Sequence, residues 1–290
     1  MCVRDGGSGD ARAKARFRGP RMTEHTSLSD TVTTMSESRN VQLTKTAHLL
    51  IDARQNHSPI AELPVELQPQ SLEEAAFVHE IIIAAFGPIG GWKIGAGSPD
   101  ATPFFAPMPL AWMVPSGTLL EGPRFRFRVL EAEIAFKLGK DLPARATPYT
   151  RDEVVDAIAS CHPIIEELES GLINPKAEGN HLSALADLQM HGGFIYGPAY
   201  ADWKSIDFKA ETVTLTVNGK VEVERTGSNT SGDLMRLLPY LANEGAARTG
   251  GLKAGQWITT GSWTGNTPAP AGSTAVATFG HAGSVSLRFA

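Results

Sequence analysis

Asn218-Gly219 stands between two alternating runs, 213–217 and 221–224, rich in Val and Thr. A two-residue turn that matches the twist of its flanking strands needs φ above zero at both central positions. Asn-Gly supplies this readily, so the segment predicts a β-hairpin. Strand signals recur at 92–94, 129–138, 257–260, 274–279 and 284–289, with Gly and Pro between them. Helical spacing is rarer. Leu43, Ala47 and Leu50 share one helix face, stopped by 56–59. Ser71 with Glu74 forms a capping box before an apolar stretch that ends at Gly87-Pro88, and Thr150 with Glu153 forms another, leading through Ala159. Leu234, Leu237, Leu238 and Leu241 suggest a further helix, which Pro239 should kink or displace. Strands outnumber helices and are often joined by turns. The expected class is therefore α+β, on antiparallel or mixed sheet rather than a doubly wound fold.

Three stretches can be distinguished. Residues 1–40 lack apolar periodicity. They hold a glycine-rich start, a basic patch (Arg12, Lys14, Arg16, Arg18, Arg21) and a Ser/Thr-rich run, and they read as a flexible tail. A transit peptide would also be rich in Arg and Ser, but Asp5, Asp10, Glu24 and Asp30 count against one. Residues 41–88 read as a small helical N-terminal subdomain and 89–290 as one larger domain. A chain of 290 residues can bury a substantial core. The net charge of −5 provides no basic excess to neutralise phosphates, so no nucleic-acid partner is expected. The longest clearly apolar run, 81–86, is too short to cross a bilayer, and no membrane partner is expected. Cys2 and Cys161 lie in dissimilar segments, which excludes a disulfide framework and makes a cytoplasmic location the default. Cys161 reads as core, and His162 and His191 as packed or surface histidines.

The segment 129–138 carries the most chemical information. Alternation puts Leu130, Ala132, Ile134, Phe136 and Leu138 on one apolar face, and Glu131 and Glu133 on the other. Carboxylates two residues apart on a strand sit about 6–7 Å from each other. In a protein interior they repel, and one takes up a proton unless a cation lies between them. Paired carboxylates at an open site suit Mg²⁺ or Mn²⁺; a half-exposed strand with its glutamates in water is the alternative. Glu166, Glu167 and Glu169 compete for a third acidic position, and alternation does not choose among them. Lys93, in a Gly-flanked apolar stretch, reads equally as a snorkelling surface residue or as a buried ammonium suited to proton transfer. Ser262 lies in a Thr-Thr-Gly-Ser-Trp-Thr-Gly turn, whose hydroxyls and amides could bind a carboxylate.

Gly91-Trp-Lys-Ile-Gly95, Glu131-Ala-Glu-Ile-Ala-Phe136, Pro163-Ile-Ile-Glu166, Ala186-Asp187, Gly261-Ser262 and Gly283-Ser-Val285 occur in this order. In them the chain resembles the 2-keto-4-pentenoate hydratase and 4-oxalocrotonate decarboxylase branch of the fumarylacetoacetate hydrolase superfamily, from about Val41 onward. The resemblance implies a mixed β-sandwich roll with a helical N-terminal piece. It implies Mg²⁺ or Mn²⁺ held by Glu131, Glu133 and Glu166, with Lys93 and Asp187 as catalytic residues; Ser262, in the turn described above, is the expected substrate contact. The chain departs from the family at Leu188, Gln189 and Met190, where an Asn is usual after the aspartate, and at Glu169-Ser170-Gly171. The activity implied is hydration of a 2-hydroxy-2,4-dienoic acid, a step in the breakdown of aromatic compounds. Decarboxylation of a 2-oxo acid is the alternative, then C–C bond hydrolysis, or a non-catalytic partner subunit. A small 2-oxo acid substrate and a homo-oligomer are expected.

Overall fold

The computed structural model describes residues 35–290, which lie within one compact unit. Helices α1 (Glu37–Gln55) and α2 (Leu72–Phe86) come first. Then follow β1 (Ile89–Gly95), β2 (Phe104–Pro109), β3 (Met113–Pro115), β4 (Leu119–Leu120), β5 (Val129–Leu138) and β6 (Leu142–Pro143). The middle of the chain holds α3 (Arg151–Asp156), β7 (Ile158–Leu168), α4 (His181–Ala186), β8 (His191–Tyr196), β9 (Thr212–Val217) and β10 (Lys220–Thr226). Last come α5 (Leu237–Tyr240), β11 (Gly251–Leu252), β12 (Trp257–Thr259), β13 (Thr267–Pro268), β14 (Thr274–Phe279) and β15 (Gly283–Phe289).

The larger sheet runs β2-β1-β12-β5-β7-β8-β3, with β13 also paired to β5; the second runs β10-β9-β14-β15-β4. β1–β12, β3–β8 and β15–β4 pair in parallel and the other pairs are antiparallel, so the class is α+β with mixed sheet. The expected hairpin is β9–β10, with φ of 51° at Asn218 and 77° at Gly219. β5 shows how one strand serves two purposes. Its apolar face, Leu130 to Leu138, is fully or almost fully buried and joins Val213, Leu215, Ala277 and Leu287 of the second sheet in one core. Its other face carries the two glutamates.

The helical layer has its own core. Leu43, Ala47 and Leu50 of α1 and Val78, Ile82 and Ile83 of α2 pack with Leu172, Ala186 and Leu188. Residues 1–34 of the expected tail lie outside the described residues. Positions 37–40 differ from the expectation: they form the first turn of α1, whose Ser36 Oγ accepts from Arg39 N. The polar side of that turn has a fixed partner, because Arg39 Nε donates to Glu74 of α2 at 2.8 Å. The helix expected to run through Ala159 is shorter. α3 stops at Asp156, and Pro163 sits inside β7. It is tolerated there because pairing with β8 begins only at Ile164, so its missing N–H takes no bond from that ladder. Pro239 lies inside α5, which follows directly on a 3-10 turn at Leu234–Arg236. Among the described residues no helix is long and apolar enough to cross a membrane.

Candidate active site

The β5–β7 register places Glu131 directly opposite Glu166, and Glu133 opposite Ile164. The carboxylates of Glu131, Glu133 and Glu166 therefore project from one face of the sheet. Each offers an oxygen within 4.8 Å of the others. Glu166 is fully buried and Glu133 is 2% exposed. β12 lies between β1 and β5 and contributes Thr259, whose hydroxyl donates to Glu133 Oε2. The amide of Gly261 donates to the same oxygen at 3.0 Å. Gly261 has φ of 91°, a backbone state that a residue with a side chain adopts only under strain.

Lys93 reaches the group from β1. Its Nζ lies 2.5 Å from Glu166 Oε1 and 3.0 Å from the carbonyl of Gln189. Of the two readings of Lys93, the buried ammonium is the one observed, at 6% exposure. Burial works against the charge of Glu166, but Lys93 and then His191 outweigh it and hold the carboxyl below its ordinary range. Burial raises Glu133 well above that range, and repulsion from Glu166 and Glu131 adds to the effect. Glu131 is raised by burial and then by Glu166. One ammonium thus faces three carboxyl groups, and two of them resist ionisation for want of positive charge.

Ser262 lies against Glu131, where its hydroxyl favours the ionised carboxylate. With its amide turned so that nitrogen faces Glu131, Asn266 donates to Oε1 at 2.7 Å, and its oxygen accepts from Lys176. Asp187 is not brought into the carboxylate group. It is fully buried, bound through Oδ1 to Arg54 Nε at 2.5 Å and through Oδ2 to Ser170 Oγ at 2.6 Å and Gly171 N at 2.7 Å.

Sequence reasoning missed His191 and Arg54. His191 is fully buried, with Nδ1 2.8 Å from Glu166 Oε1. Burial lowers its pKa, and, facing a carboxylate oxygen, Nδ1 is the donor. No spacing motif marks it. Arg54 is one of several charges on a helix, and nothing local separates it from the exposed ones.

Alternation also sets what lies next to the carboxylates. Val129 pairs with Leu168 one step along the same face. Both line an open cavity of about 500 Å³, together with Phe127, Ile173, Met190 and Asn266, among others. A smaller cavity of about 190 Å³ lies beside Arg54, Arg124 and Trp112; the three carboxylates are in the lining of neither cavity.

A cation fits this donor set. Three carboxylates are the hard oxygen ligands that Mg²⁺ and Mn²⁺ prefer. Glu166 Oε2 is buried without a hydrogen-bond partner among the described residues, and the two raised carboxyls would be ionised by an added positive charge.

No family model matches the chain. It is 32% identical over 142 residues to a 2-hydroxyhexa-2,4-dienoate hydratase of Comamonas testosteroni, covering 49% of this chain and about half, 52%, of that relative's length. It is 25% identical to a 2-oxo-hept-4-ene-1,7-dioate hydratase of Escherichia coli over 258 residues, 84% of this chain and 96% of the relative. Among solved structures it superposes on 4-oxalocrotonate decarboxylase from Pseudomonas putida G7, complexed with magnesium and adipate. The TM-score is 0.74 at 23% identity, over 89% of this chain and 99% of that one. A protein from Yersinia pestis CO92 described under the fumarylacetoacetate hydrolase family gives a TM-score of 0.53 at 18% identity, over 70% and 93%. The fold is that of the fumarylacetoacetate hydrolase superfamily. Within it, the chain resembles the 2-keto-4-pentenoate hydratase and 4-oxalocrotonate decarboxylase branch.

Proposed function

We propose that the chain is a divalent-metal-dependent lyase that hydrates a short 2-hydroxy-2,4-dienoic acid. The observation that carries this reading is the convergence of Glu131, Glu133 and Glu166 with the Lys93 ammonium on one sheet face. The three glutamates would hold Mg²⁺ or Mn²⁺. Such an ion, when bound, supplies Lewis-acid polarisation of a 2-oxygen. Lys93 keeps a proton at Nζ beside the space a 2-oxo acid would occupy, and it can deliver that proton as the double bonds shift. Thr259 and Gly261 keep Glu133 aimed at the same space. Ser262 and Asn266 border it next to Glu131. Water then adds at the distal alkene carbon, giving a 4-hydroxy-2-oxo acid.

The neighbouring cavity supports an alkyl tail on the substrate. Phe127, Val129, Leu168, Ile173 and Met190 offer apolar surface, whereas a distal carboxylate buried there would need a cation. Lys176 is the cation at its edge, already bound to Asn266. Purified protein with Mg²⁺ is assayed on 2-hydroxypenta-2,4-dienoate, 2-hydroxyhexa-2,4-dienoate and 4-oxalocrotonate. The expected result is loss of dienoate absorbance without CO₂ release, abolished by chelator. CO₂ evolved from 4-oxalocrotonate would make the chain a decarboxylase instead, and inertness toward all three would leave it a non-catalytic partner.

A further inference from the structure

Leu188, Gln189 and Met190 have φ of 52°, 53° and 59°. None is a glycine. The left-handed region crowds Cβ against the following carbonyl, so a run of such residues persists only where surrounding contacts impose it. Arg54 supplies those contacts. It donates to Asp187 Oδ1 (2.5 Å) and to the Asp187 carbonyl (3.0 Å), on the near side of the run. It donates also to the His191 carbonyl (3.0 Å), on the far side, and to the Glu169 carbonyl (2.9 Å). A single guanidinium thus fastens the residue before the turn to the residue after it. Asp187 is itself fixed by Ser170 and Gly171. The turn presents the Gln189 carbonyl to Lys93 Nζ, and the residue that follows it, His191, binds Glu166.

We propose that Arg54 is a positioning residue. Paired with Asp187, it clamps the left-handed turn at 188–190 so that the Gln189 carbonyl holds the Lys93 ammonium in place. Asp187 then serves the clamp and does not touch substrate. The inference rests on the functional reading of Lys93 above, and its test therefore includes a measurement that needs no substrate.

The variant is Arg54→Lys in the full chain, which keeps a charge against Asp187 but loses the planar fork that reaches both sides of the turn. Hydrogen exchange in the peptide spanning 187–192 is expected to speed up at least severalfold. On the dienoate, kcat is expected to fall by about ten- to hundredfold, the scale for a misplaced catalytic group. KM and the Kd for Mn²⁺ should stay within about twofold, since a tenfold change would mean 1.4 kcal/mol of lost binding. Glycine adopts positive φ without the Cβ clash, so adding Gln189→Gly to Arg54→Lys should slow the exchange again and recover most of the lost kcat. Asp187→Asn, which keeps an acceptor for Arg54 Nε, should give the same signs and serves where Arg54→Lys does not fold. Wild-type exchange and kcat in these variants would overturn the clamp. So would a loss that Gln189→Gly does not restore, or one that takes Mn²⁺ binding with it. If the wild type turns over none of the 2-oxo acids, the functional reading fails, and the exchange measurements alone decide the clamp.

Discussion

Glu166 and Glu167 are consecutive in β7, point to opposite sides of the sheet, and are both fully buried. Their surroundings differ in kind. On the side of Glu166, three carboxyl groups share Lys93 as their common ammonium, and a buried oxygen has no hydrogen-bond partner among the described residues. Near Glu167, the acidic groups Asp187 and Glu169 are saturated. Glu169 accepts from the Arg126 guanidinium at 2.9 Å and from the amides of Arg126, Phe127 and Ser170, and Asp187 has its own set from Arg54, Ser170 and Gly171. The contrast separates two uses of buried charge. Where both oxygens of each carboxylate have partners, the ions fix backbone geometry. Where cations are too few, the arrangement is suited to receive one. Glu167 is the exception on its own side. Among the described residues both its oxygens lack hydrogen-bond partners, and burial, then repulsion from Glu169, raise it well above the ordinary carboxyl range. It is packed where Gly192 leaves no Cβ to collide with it.

Lys93→Ala offers the largest test of this contrast. Turnover is expected to fall by about 10²–10⁴-fold, the usual loss for an acid–base group, while calorimetry still finds Mn²⁺ binding. Lys93→Arg should not rescue turnover, because a guanidinium does not release its proton near neutral pH. On the saturated side the loss should appear in stability instead. Asp187→Ala leaves Arg54 buried without its counter-charge and should cost about 3–5 kcal/mol in urea unfolding. A smaller cost, with lost Mn²⁺ binding, would reverse the roles given to the two clusters. Mn²⁺ at about a hundred times its Kd should stabilise the wild type by about 2.7 kcal/mol, and Glu133→Gln should remove that gain. An equal gain in the variant would mean that the ion sits elsewhere.

The smallest effect belongs to His79 in α2, a buried group outside both clusters. Burial, then Arg248, lowers its pKa to about 3. A histidine near 6.5 when unfolded binds more protons in that state between these two values. Stability is thus fully present above about pH 6.5 and is lost as pH falls toward the folded value. At pH 5 the loss should be about 2 kcal/mol relative to pH 7. His79→Leu should remove this part of the acid limb in guanidinium titrations; an unchanged limb would place the acid sensitivity in the carboxylate clusters.

Legibility followed local pattern. The two faces of β5 could be read because one is uniformly apolar and the other carries the charges, although Glu133 and Ala135 on the second face are buried as well. β7 is buried on both faces through Cys161 to Leu168, so its alternation says nothing, and only the likeness to a known family singled out Glu166. The first turn of α1 was hidden because its residues are polar and their partners lie on α2. The turn at 188–190 was hidden more deeply. With no glycine in it, the sequence holds no sign of left-handed backbone, and what imposes that conformation comes from a residue 133 positions away. His191 was passed over because its partner, Glu166, lies on another strand.

The location of that guanidinium bears on how such a chain can be recombined and how it can drift. Arg54 belongs to the first helix, yet its acceptors, on Glu169, Asp187 and His191, come 115 to 137 positions later in the chain. A foreign helical pair of equal hydrophobicity, grafted ahead of residue 89, would cover the same apolar surface and still strand Asp187 without a counter-charge. The helices are therefore not an exchangeable module. Substitution at 54 or at 187 alone is penalised, so across descendants of this chain the two positions should change together or not at all.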